Sequence, residues 1–214
     1  MERSIEAILF DMDGTLVDSK AAVERAWVAV AEELSLDTAS VLAHCHGRPA
    51  PDTVRSFWPD ADEADVDRAA ARQLELQYTD LDDVTPMPGL RDVLHAIDRH
   101  GLPWAVVTSA DVPLANARLL KCDIQPPVLV TVDDIHHGKP DPEGYLTAAT
   151  RLGVAIDRCV VVEDSGVGAE AGRRAGAQVA ALNGLECDIP LRTLHDLAAW
   201  IDDHRRLTPT GSLD

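Results

Sequence analysis

The chain has 214 residues, 46% of them apolar, enough for a full hydrophobic core with a smaller appendage, which excludes a short disulfide-held or intrinsically disordered fold. Acidic residues outnumber basic ones 37 to 19, and the formal net charge of −18 repels phosphate backbones and anionic lipid, so no nucleic acid and no membrane surface is expected as a partner. No apolar run exceeds seven residues, far short of the roughly 20 needed to span a bilayer. The amino terminus is too polar to read as a signal peptide, and a cytoplasmic protein is expected. Cys45, Cys122, Cys159 and Cys187 are widely spaced with no C-x-x-C pair, so neither a zinc site nor a disulfide framework is suggested.

In chain order, residues 5–10 read as a buried strand. The next stretch carries helical spacing and no convincing strand: Val23, Ala26, Trp27, Val30 and Leu34 recur at intervals of three and four, and an acidic, alanine-rich helix follows over about 62–78. This interval is too long for a single crossover. Residues 19–84 are therefore expected to form an inserted helical cap, closed by the Pro86-Met87-Pro88-Gly89 breaker before a helix over Leu90–His100. Strand and helix then alternate: strands at 104–108, 128–131, 159–162 and 177–182, helices at 112–121, 143–152, 167–175 and 191–202. The pattern predicts an α/β fold, a doubly wound parallel five-stranded (Rossmann-like) core over 1–18 and 85–207, with a frayed tail over 208–214. Trp27 and Trp58 are expected in the core of the cap. No exposed apolar stripe demands a partner chain, so a monomer is expected.

Ligands of open α/β sheets sit outside the carboxyl ends of the strands, so the residues that follow each strand carry the chemistry. Asp11-Met12-Asp13-Gly14-Thr15 follows the first strand, Thr108-Ser109 ends the second, Gly138-Lys139-Pro140 lies after the third, and Glu163-Asp164-Ser165 follows the fourth. Asp11 and Asp13 stand at i and i+2, and Gly14 lets the chain turn sharply with its amides exposed. One of the two carboxylates could attack phosphorus while its neighbour passes protons to the leaving and attacking oxygens. The plainer alternative is an Asp-Gly turn with a spare acid; a calcium loop fits less well, because its glycine stands sixth and Gly14 stands fourth.

Glu163 and Asp164 bring further carboxylates to the same edge, and clustered acids repel unless a cation lies among them. Magnesium, which takes oxygen ligands and bridges carboxylates to phosphate, is the natural candidate. A bare helix cap is the alternative for Asp164 and Ser165. Lys139, one of only three lysines in the chain, is the basic counterweight to phosphoryl oxygens and carboxylate. Thr108 and Ser109 offer a hydroxyl and an amide to phosphate. The run Gly166-Val167-Gly168-Ala169-Glu170-Ala171 matches the dinucleotide fingerprint, but Glu163 and Asp164 would face the pyrophosphate, and Asn183 stands where a ribose-binding acid is needed.

Taken together and in this order, these motifs resemble those of the haloacid dehalogenase superfamily of phosphatases and phosphomutases, across essentially the whole chain. The resemblance implies Asp11 as nucleophile, Asp13 as general acid/base, Thr108 and Lys139 as phosphate binders along with Gly14, Thr15 and Ser109, and Mg²⁺ on Asp11, the Asp13 carbonyl and Asp164, with Glu163 reaching it through water. Asp13 argues against haloalkanoate dehalogenation, because dehalogenases of the superfamily do not use that residue. The helical insertion resembles the mobile cap of the β-phosphoglucomutase-like branch, whose mutases have a gating histidine near the position of Val23; valine favours hydrolysis. His46-Gly47-Arg48 is similar to a segment of bacterial sugar phosphatases and glycerol phosphatases and could donate to substrate hydroxyls or phosphate. The expected activity is hydrolysis of a small sugar or polyol phosphate. The rivals are a sugar phosphomutase, a phosphoglycolate phosphatase and, outside the enzymes, a receiver-like module that stores an aspartyl phosphate.

Overall fold

The computed structural model describes residues 4–45 and 49–207, without the side chains of residues 44 and 205–207; the tail expected to fray from residue 208 lies outside them. Strand β1 (Ala7–Phe10) leads through the two-residue β2 (Val17–Asp18) into four helices, α1 (Lys20–Glu33), α2 (Thr38–His44), α3 (Ala50–Phe57) and α4 (Glu63–Thr79). The chain returns through β3 (Thr85–Pro86) and continues as α5 (Leu90–His100), β4 (Trp104–Val107), α6 (Val112–Lys121), β5 (Leu129–Val130), α7 (Glu143–Leu152), β6 (Cys159–Glu163), α8 (Gly166–Ala175), β7 (Gln178–Ala181), β8 (Ile189–Pro190) and α9 (Leu194–Leu207).

The central sheet has the order β5-β4-β1-β6-β7-β8, with every neighbouring pair parallel. Six strands stand where five were expected. The sixth, β8, is two residues long, too short to show a period, and its Pro190 is tolerated because an edge strand can spare a donor. It displaces the start of the last helix from residue 191 to Leu194.

Parallel sheets are covered on both faces, so their strands read as continuous apolar runs. Along β1, Ile8 and Phe10 pack with residues of α5, α6 and α9, while Ala7 and Leu9 pack against Tyr145, Ala148 and Ala149 of α7 and Ala171 and Ala175 of α8. All four β1 side chains are fully buried. A third apolar cluster lies within α1 to α4, around the buried Trp27, Val30, Val41, Val54 and Val66, with Trp58 packed against it. The paths into and out of these helices run side by side as an antiparallel pair, Val17 opposite Pro86 and Asp18 opposite Thr85, a hairpin the sequence did not suggest.

The acidic residues serve these elements locally. Asp37, Asp62 and Asp111 accept the amides of Ser40, Asp65 and Leu114 and so cap α2, α4 and α6. All four cysteines are free thiols, three of them buried. Among the described residues no helix is long and apolar enough to cross a membrane.

The sheet register decides what meets at its edge. Phe10 lies opposite both Val106 and Val162, and the Asp11 amide still donates to Val162 O at 3.0 Å. Asp11, Thr108 and Glu163 therefore leave the sheet at nearly one level.

Candidate active site

Lys139 is the centre of the site. Its Nζ lies 2.5 Å from Asp11 Oδ1, 2.7 Å from Glu163 Oε1 and 3.2 Å from the Val107 carbonyl, and 5.3 Å from the centre of the Tyr145 ring. Glu163 is fully buried, yet each of its oxygens is supplied: Oε1 by Lys139 and by the Tyr145 hydroxyl at 2.6 Å, Oε2 by the Ser165 hydroxyl at 2.9 Å and amide at 3.3 Å. Any link from Glu163 to a cation would have to share those bonds. A buried carboxylate matched in this way is an anchor for its partner, and it fixes Lys139 beside Asp11.

The charges do not close by themselves. Carboxylate oxygens of Asp11, Glu163 and Asp164 lie within 4.8 Å of one another, against the single ammonium of Lys139, which leaves two formal negative charges over. Burial pushes the Asp11 carboxyl well above the ordinary carboxylate range; Lys139 works against that, and Glu163 and Asp164 add to it. Asp164 is pushed up to about 6, by burial first and then by Glu163. Burial alone would lower Lys139, but Asp11 and Glu163 together hold it above its usual value, so it stays charged. An excess of two negative charges among hard oxygen donors matches a small divalent cation in charge and in ligand type.

Two glycines make room for this cluster. Gly14 has φ +84°, and a Cβ there would overlap the Asp164 carboxylate. Asp164 also has the Thr15 hydroxyl 3.5 Å from its Oδ1. Thr15 is fully buried and turned to that carboxylate. Gly168 lies in the first turn of α8, where a Cβ would overlap the Glu163 carboxylate. That contact, and not a pyrophosphate, accounts for the second glycine of the fingerprint-like run.

Asp13 sits apart from the Lys139 cluster in its contacts. Its Oδ1 accepts from the Ser19 hydroxyl at 2.7 Å and is ion-paired with Arg118 Nη1 at 2.8 Å. Arg118 is buried on α6, and its Nη2 donates to Gln77 Oε1 on α4 at 2.5 Å. Its Nε is buried with no hydrogen-bond partner among the described residues. Thr108 is buried and its hydroxyl oxygen accepts the Ala110 amide at 3.0 Å, while Ser109 beside it is exposed. His46, Gly47 and Arg48 lie outside the described residues.

The structure thus brings Asp11, Lys139, Glu163 and Asp164 together, with Gly14 and Thr15 beside them. Sequence reasoning missed Ser19, Gln77, Arg118 and Tyr145, which hold the others in place. Arg118 left a trace: it falls on the helix face that also carries Leu114, Ala115 and Leu119, all buried, and a charge in an apolar stripe needs a partner. A second acidic group, His137, Asp141 and Glu143, lies nearer the surface, and there Glu143 already accepts the amides of His136 and His137.

Residues 5–176 match the family described as haloacid dehalogenase-like hydrolase. The chain is 41% identical to hexitol phosphatase A of Escherichia coli (strain K12) over 179 residues, 83% of each protein. It is 34% identical to 2-deoxyglucose-6-phosphate phosphatase 1 of Saccharomyces cerevisiae (strain ATCC 204508 / S288c), covering 82% of this chain and 79% of that one. In fold it resembles a β-phosphoglucomutase from Clostridium difficile, with a TM-score of 0.82 at 19% identity over 94% of this chain and 97% of that one.

Gly168→Ala separates helix propensity from packing. Alanine improves an exposed helix by about 1 kcal/mol, whereas crowding a locked side chain costs about 1–3 kcal/mol. Because Glu163 is held by four donors and cannot swing away, the variant is expected to be less stable by denaturant unfolding, and to lose activity as Lys139 is displaced.

Proposed function

The chain belongs to the haloacid dehalogenase-like hydrolases, and on that premise we propose that it is a Mg²⁺-dependent phosphatase that hydrolyses a small sugar or polyol phosphate through an aspartyl phosphate on Asp11. As an enzyme it is a phosphoric monoester hydrolase, the class to which its named relatives belong. The observation that carries the finer reading is the division of labour between two carboxylates of one strand exit. Asp11 is locked to Lys139 in a buried cluster, and Asp13, two residues on, is held by Ser19 and Arg118 with its side chain 29% exposed. Two acids in different surroundings take different roles.

In this reading an Asp11 oxygen attacks phosphorus, the bond from phosphorus to the ester oxygen breaks, and Asp13 gives its proton to the departing alkoxide. Asp13, now ionised, takes a proton from the water that attacks the phosphoryl group. The bond to Asp11 breaks, inorganic phosphate leaves, and both carboxyl groups return to their starting states. Lys139 orients Asp11 and offers positive charge to the phosphoryl oxygens, which the Thr108 hydroxyl and the Ser109 amide also meet. Asp11, Asp164 and the Asp13 carbonyl would hold Mg²⁺, which when bound neutralises charge on the phosphoryl group. Val23, packed against the apolar cluster of the first four helices, brings no proton carrier to the site from α1, which favours hydrolysis over isomerisation.

The names of the relatives support a phosphorylated hexitol or hexose as substrate. In a phosphate-release panel of hexitol, hexose and glycerol phosphates and phosphoglycolate, turnover is expected to be fastest on the hexitol or hexose esters; conversion of sugar 1-phosphates to 6-phosphates in place of free phosphate would mark a mutase instead. Asp11→Asn should lower turnover by roughly 10⁴-fold or more, as loss of a nucleophile does elsewhere, and appreciable residual activity would exclude Asp11. Chelation should abolish phosphate release and added Mg²⁺ restore it, with the unfolding midpoint rising as Mg²⁺ is titrated; turnover that survives chelation would overturn the metal assignment.

A further inference from the structure

Arg118 occupies a costly position. It is 3% exposed on a helix face otherwise made of Leu114, Ala115 and Leu119, and one of its nitrogens, Nε, has no partner among the described residues. A buried guanidinium is tolerated only where its pairing is worth the desolvation. The two terminal nitrogens of this one serve different parts of the molecule. Nη1 reaches Asp13 Oδ1 at 2.8 Å, and Nη2 reaches Gln77 Oε1 at 2.5 Å, near the end of α4. Gln77 is itself buried and its amide donates to the Gln73 carbonyl. One residue on, the Tyr78 hydroxyl donates to Asp111, the cap of α6, at 2.5 Å, so α4 is seated on α6 by two adjacent contacts.

The geometry at Asp13 is one-sided. Ser19 and Arg118 both fall on Oδ1. Both of the two-pronged grips that a guanidinium can offer a carboxylate use Nη2, and here Nη2 is engaged by Gln77. Arg118 therefore pairs with Asp13 through a single nitrogen at Oδ1 and leaves Oδ2 ungripped; the Asp13 side chain is 29% exposed and that of Arg118 3%.

We propose that Arg118 is a positioning residue for the Asp13 carboxylate: it clamps Oδ1, and through Gln77 it makes the orientation of that carboxylate depend on the seat of α4 against α6, so that Oδ2 is the oxygen presented for proton exchange. The proposal rests on the assignment of Asp13 as general acid/base made above. Arg118 acts through Asp13 and not on the substrate.

Leaving-group chemistry tests it. An alkyl phosphate needs a proton on its departing oxygen, whereas p-nitrophenolate leaves without one, so a misplaced acid slows the first ester and spares the second. In single-turnover release of glycerol from glycerol phosphate and of p-nitrophenolate from p-nitrophenyl phosphate, which reads only the step that forms the aspartyl phosphate, Arg118→Met is expected to lower the alkyl rate roughly 10- to 100-fold, within the range of general acid catalysis, while the nitrophenyl rate and the half-saturating concentrations of both esters stay within about threefold. Arg118→Lys should restore part of the alkyl rate. Equal losses on the two esters, or a change confined to the half-saturating concentrations, would overturn the proposal and make Arg118 a purely structural seat for α4. Should Arg118→Met fail to fold, Gln77→Leu carries the test, with the same split expected at smaller amplitude as the freed Nη2 closes on Oδ2; no split there overturns the proposal equally. Asp13→Asn in the same assay keeps the two claims distinct, because its failure to produce a split would overturn the acid/base assignment itself, and the positioning role with it.

Discussion

Three carboxylates held at the end of a buried sheet with a single ammonium among them is the constraint on which the rest of the site depends. Like charges at low effective dielectric repel by several kcal/mol at contact distances, so Asp11, Glu163 and Asp164 can share one rim only if every oxygen is supplied with a donor or a cation. Much of the local sequence answers that demand. Lys139 bridges two of the three, Tyr145 and Ser165 complete Glu163, and Thr15 stands by Asp164. The glycines at 14 and 168 are the space that these carboxylates occupy.

Around this cluster the two strand-exit acids are kept electrostatically distinct by where their partners come from. The partner of Asp11 belongs to the loops of the sheet itself, Lys139 after β5, which is held in turn by Glu163 at the end of β6. The partners of Asp13 belong to Ser19, at the entrance to α1, and to α6, which is bonded in turn to α4. Asp11 is thus fixed by the core, and Asp13 by the junction between the core and the first four helices.

Legibility in the sequence followed the length and periodicity of each element. Helix α5 was read with its bounds, because Gly89 and Gly101 punctuate a strongly amphipathic run, both with left-handed backbones in the structure. The long interior strands were read because burial on both faces makes them apolar throughout. β2, β3 and β8 were not, since two residues carry no period, and neither were α2 and α3, at seven and eight residues. In the site the same division holds. Residues immediately after strands could be grouped because ladder register fixes their level. Gln77, Arg118 and Tyr145 come from helices and Ser19 from the entrance to one, and the rotation of a helix over a sheet is decided by packing between distant segments that no local window contains.

The hairpin of β2 with β3 also bears on how the chain finds its fold. β1 pairs with β4, whose register partner for Phe10 is Val106, so the central ladder closes an excursion of almost a hundred residues. Closure entropy grows only with the logarithm of loop length, about 0.6 kcal/mol per doubling, but it must be met before any long-range contact is gained. Once Val17 and Asp18 lie against Pro86 and Thr85, the four helices become a side branch, and the remaining path from β1 to β4 is a short one around a single helix. Through that small two-stranded stitch, the pairing of β1 with β4 becomes a nearly local one.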